Sequence, residues 1–112
     1  MVNRLGAAVA LIVDTLRRER EAVDDGLDPA VPTDPDTVVA SAAEKIVTLA
    51  ADLRHANQAG DRIGFWLDHA AIVGYLSYMR IFQVTTAPHL PTGMADELEE
   101  LLSRAEDEAM LP

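Results

Sequence analysis

One seam of apolar and small side chains dominates the middle of this chain. Val39, Ala42, Ile46, Leu49, Leu53 and Ala56 recur at alternating three- and four-residue steps. The same phase continues through Ile63, Leu67, Ala70, Gly74, Ser77, Ile81 and Val84. Such spacing marks a helix with one buried stripe. Read without a break, it gives a helix of about 50 residues, a rod on the order of 70 Å long that needs a coiled-coil partner. Gly60 and Asp61 offer a stop and a start, which turns the same stretch into a hairpin of two helices, 35–59 and 61–86. The hairpin is the expected form.

Proline fixes the boundaries on either side. Pro29, Pro32 and Pro35 recur every third residue in "GLDPAVPTDP", which forbids helix and suits an extended linker over 26–35. Asp34 is placed to cap the next helix with Pro35 at its first position; Thr33 with Asp36 offers a competing capping box. "TTAPHLPTG" supplies a second loop, 85–92. Before the linker, 3–25 reads as a helix with Leu5, Val9, Ile12, Leu16 and Val23 on one face and an Asp14–Arg18 pair on another. Leu11 and Val13 widen its apolar side, so its first half should be the more buried. After the second loop, 93–110 reads as a helix capped by Thr92, with Leu98, Leu101, Leu102, Ala105 and Ala109 as its apolar face. The expectation is an all-α fold in a single domain, 1–112: a four-helix bundle, or an extended helical hairpin with two flanking helices.

Composition removes several functions. Without cysteine there is no disulfide, thiolate nucleophile or Cys-ligated metal, which suits a cytoplasmic location. A net charge of −10 repels nucleic-acid phosphates and anionic lipid, so neither partner is expected. The run "MVNRLGAAVALIV" resembles a short signal segment, but no small-residue cleavage site follows it, and "DTLRRERE" continues the helix. No nucleotide-binding or nucleophile-elbow motif occurs.

All five aromatic residues, Phe65, Trp66, Tyr75, Tyr78 and Phe82, fall within 65–82. Asp68, His69 and Arg80 leave too short an uncharged run for a membrane span. An aromatic helix apolar over most of its circumference is buried on several sides, and Gly64, Ala70, Ala71, Gly74 and Ser77 give it shallow places for another backbone. Trp66, Tyr75, Tyr78 and Phe82 are therefore the candidate contact residues of a self-associating, non-catalytic protein–protein interaction module that needs no cofactor. Assembly component, adaptor or small regulator would all fit. Two alternatives come from other clusters. Asp52, His55, Asp68 and His69 could form a metal or small-ligand site of a bundle enzyme, although Asp52 and His55 lie off the seam, towards solvent. Residues 92–112 carry seven acids against Arg104 and could imitate nucleic acid to a basic partner. Lys45, the only lysine, reads as a solvated charge, and His89 as a loop residue.

Overall fold

A computed structural model of the chain describes residues 4–27 and 29–109. Among the described residues there are five α-helices: α1 (Arg4–Asp24), α2 (Pro35–Gln58), α3 (Arg62–Asp68), α4 (Ala70–Thr86) and α5 (Thr92–Glu108). A 3-10 turn at Ala87–His89 joins the last two. The fold is all-α, as the periodicity predicts. The helix ends expected at Asn3 and Met110 lie outside the described residues, as does the side chain of Leu5.

The long seam folds back at Gly60. Its φ of 79° lies in the left-handed region that glycine enters without steric penalty. Asp61 starts the next helix, its side chain accepting the Gly64 N–H at 3.0 Å. A side chain at residue 64 would collide with that carboxylate, so Gly64 serves the cap rather than the approach of another backbone. The longest dimension of the molecule is 52 Å, short of the rod.

The single helix expected over 61–86 is two. His69 separates them with φ −119° and ψ 52°, its ring stacked on Phe65 at 4.1 Å. Its Nδ1 lies 2.7 Å from the Phe65 carbonyl, the oxygen that an unbroken helix would offer to the His69 N–H. The backbone N–H turns instead to Trp66 O at 3.2 Å. Side-chain competition for a backbone acceptor thus accompanies the break.

At α2, Asp34 is the cap adopted: its carboxylate accepts from the Thr37 N–H at 3.0 Å and from the Thr37 hydroxyl at 2.8 Å. The second loop is shorter than expected, because α4 runs to Thr86 and the 3-10 turn takes up Pro88. Thr92 is the first residue of α5 rather than its cap; Pro91 holds the cap position without a side-chain bond.

Leu49, Leu76, Met79, Phe82, Leu98 and Leu102 are wholly inaccessible, so the core lies between α2, α4 and α5. α1 is attached differently. Val9, Leu11 and Val13 are about half exposed, and Glu19 is the one fully buried residue among the described side chains of this helix. The expected burial order is reversed, because the docking point lies about 22 Å of helix beyond Arg4. No helix among the described residues is long and apolar enough to cross a membrane.

Candidate functional site

The aromatic residues of α4 face inward, onto the lone lysine. Tyr75, Tyr78 and Phe82 recur at three- and four-residue steps, and Lys45 Nζ sits 5.7, 5.4 and 4.4 Å from their ring centroids. These distances are in the range where a ring face attracts a cation. The ammonium is closed off on its other side by hydrogen bonds. It donates to Ser41 Oγ at 2.8 Å and to the two Glu19 oxygens at 3.3 and 3.2 Å. Ser41 donates in turn to Glu19 Oε1 at 2.9 Å, and the Tyr78 hydroxyl donates to Glu19 Oε2. Glu19, Ser41, Lys45 and Tyr78 are all at most 1% exposed.

Two sequence expectations change here. Lys45 is not a solvated charge: it is buried against α1, whose Glu19 supplies the counter-charge. Trp66, Tyr75, Tyr78 and Phe82 are not surface contacts: their exposures are 3, 6, 1 and 0%, since the rings are taken up inside the chain. The Glu19–Lys45 pair itself escaped the sequence. Its one faint signal is a single lysine following a serine by four residues on a helix, beside an apolar seam.

Burial pushes the Lys45 ammonium below its ordinary value, while Glu19 and Glu44 pull it back up. Burial likewise raises the hydroxyl of Tyr75, and that of Tyr78 together with its bond to Glu19. All three ammonium donors have acceptors, so the cluster holds helices together and offers no free group to a substrate.

What α4 leaves outside is the continuation of the seam. Ile63, Leu67, Ile81 and Val84 are 57, 75, 45 and 66% exposed, and Ala70, Gly74 and Ser77 between them are exposed too. The core has taken the opposite side of the helix. Exposed small and apolar residues therefore lie along α3 and α4, with Ala70 and Gly74 bordering a groove that Val23 of α1 and Leu27 beyond it also line.

The proposed metal group does not assemble. Asp52 is half-buried, and burial pushes its carboxyl up while His55 and His69 act in the other direction. His55, Asp68 and His69 are exposed. Among the described residues no group of three or more His, Asp or Glu could hold a metal ion. Arg62 donates to Asn57 at 2.7 Å. In the acidic helix, Glu99 and Glu106 accept from Arg80 and tie α5 to α4. The Arg80 bond holds Glu99 below the usual carboxylate range. His89 is exposed at the 3-10 turn.

No family model, no curated protein and no solved structure matches this chain.

Proposed function

We propose that the chain is a non-catalytic protein–protein interaction module that pairs with a second copy of itself through the α3–α4 face. The observation that carries this reading is the exposed strip of Ile63, Leu67, Ile81 and Val84 at helical spacing, lined by small residues. Gly74 supports it. A Cβ there would meet no atom within 4 Å, yet glycine inside a helix is unfavourable by about 0.8–1 kcal/mol relative to alanine. No described residue lies close enough to compensate; a neighbouring backbone close to Gly74 would. A stable pair buries about 800 Å² per partner, and the exposed residues are carried on two helices, α3 and α4, that meet at His69. The acidic, cysteine-free composition suits a cytoplasmic setting for such a module.

Sedimentation equilibrium at micromolar concentration tests the proposal. The wild type should pair, and Leu67→Glu and Ile81→Glu should sediment as monomers with unchanged helicity, because both positions are already exposed. A monomeric wild type refutes the reading, and so does a charged variant that still pairs.

A further inference from the structure

Most of the positive charge in this chain is neutralised internally. Among the described side chains, Arg17, Arg18, Arg20, Lys45 and Arg80 each have a carboxylate oxygen within 3.8 Å. The other described arginine side chains, Arg54, Arg62 and Arg104, have none, and all of them line one groove between α2, α3 and α5. Arg62 donates only to the neutral amide of Asn57. Arg54 and Arg104 have no hydrogen-bond or ion-pair partner among the described residues. Arg104 has Glu100 four residues before it and Glu108 four residues after it, the spacing at which helix ion pairs form, and it closes on neither. The groove has a volume of about 510 Å³, within the range of small-ligand sites. Its one acid is Glu108. Three guanidinium groups against one carboxylate leave two formal positive charges, in a chain whose net charge is −10.

We infer that this groove binds a dianionic phosphoryl group, either as free phosphate or as the monoester of a small organic molecule. A guanidinium presents its N–H donors as a planar fork that matches two phosphate oxygens, and a phosphoryl group has three terminal oxygens to share among the arginines. Its charge of about −1.5 to −2 at pH 7 offsets the local excess. A carboxylate brings two oxygens and a single charge, so it answers only part of that excess. Ala50 and Leu101 beside the arginines supply hydrocarbon for the organic part of an ester. The acidity of the whole chain selects against polymers and not against small anions. A nucleic acid would run out of the groove onto acidic surface and be repelled. A single phosphoryl group feels mainly the groove, because remote charges are screened over about 8 Å at physiological salt. The inference does not depend on pairing through the α3–α4 face.

The test titrates the ¹⁵N-labelled full chain with inorganic phosphate, phenyl phosphate, methyl phenyl phosphate and benzoate. Ionic strength is held constant, and the pH is kept well above the second phosphate pKa of about 6. Inorganic phosphate or phenyl phosphate at millimolar concentration should move the Nε–H resonances of Arg54, Arg62 and Arg104 to saturation. Methyl phenyl phosphate and benzoate carry one charge each and should bind more weakly. Tighter binding of phenyl phosphate than of inorganic phosphate identifies an ester as the ligand, and the reverse order identifies the free ion. Arg54→Gln and Arg104→Gln should each weaken binding about tenfold without lowering the melting temperature, since neither side chain has an internal partner. Arg18→Gln makes the same change in net charge outside the groove and should bind as the wild type does. The absence of a saturable shift at the groove arginines overturns the inference. Equal binding of the singly charged probes, or an equal loss in Arg18→Gln, would mean general attraction between charges and overturns it too.

Discussion

Replacing Lys45 by methionine keeps most of the hydrocarbon stem and deletes the ammonium, so it isolates the buried charge. Glu19 would remain 1% exposed with only the Ser41 and Tyr78 hydroxyls as donors. Removing one member of a buried ion pair is destabilising by about 3–5 kcal/mol. Two donors survive, which places this case near the low end, and the lost attraction of three rings adds about 1 kcal/mol. The expected loss is about 4 kcal/mol, a large share of the total stability of a domain, about 5–15 kcal/mol. Urea unfolding followed by the fluorescence of Trp66 measures it. Pairing Lys45→Met with Glu19→Leu should recover part of the loss, since the stranded carboxylate goes too. Glu19→Gln probes the opposite side. It removes the main influence that raises the Lys45 pKa, so the folded value falls further below the unfolded one. Between those two values the unfolded chain binds more protons, and the stability of this variant should rise with pH up to about 10.5. A loss of under about 1 kcal/mol in Lys45→Met, the range of solvated pairs, would refute burial of the pair.

Other substitutions test separate features. Gly74→Ala should stabilise the isolated chain by about 0.8–1 kcal/mol and weaken pairing, seen as a higher melting temperature at high dilution with a larger dissociation constant. Gly60→Ala forces a side chain into φ 79° and should lower stability by about 1–2 kcal/mol, measurable by chemical unfolding. Arg80→Gln unties α5 from α4. Solvent screening limits the loss to about 1 kcal/mol at neutral pH. The depressed Glu99 pKa adds stability that is present above the ordinary carboxylate value and lost as pH falls through the folded value. Thermal melts across the acid range should therefore decline less steeply in this variant than in the wild type.

The helices were legible because their periodicity and their stops are local. Asp34 with Pro35 and Gly60 with Asp61 mark boundaries through backbone chemistry that needs no tertiary context. The break at His69 was not, since it coincides with a contact between one ring and one carbonyl inside an otherwise helical pattern. The seam proved legible in spacing but not in direction: Ala42, Leu49, Leu53 and Ala56 are core, while Val39 at its start and Ile63, Leu67 and Ile81 further on face outward. Periodicity shows that residues share a face and does not say which face meets a neighbour. The aromatics went astray for the same reason. Tyr75, Tyr78 and Phe82 read as surplus hydrocarbon because Lys45, which lies against all three rings, is 30 to 37 residues away in the chain. A buried charge pair between distant helices leaves almost no trace in single-sequence patterning.

Anchoring α1 through a carboxylate has an effect that an oily stripe would lack. Ile12 could take the place of Leu16 after a slide of one helical turn at little loss. Glu19 could not: a slide would bring Thr15 or Val23 opposite Lys45 and leave an ammonium sealed in hydrocarbon. The first helix can therefore dock at one longitudinal position or come away altogether, which makes its attachment a switch between two settings and not a sliding joint.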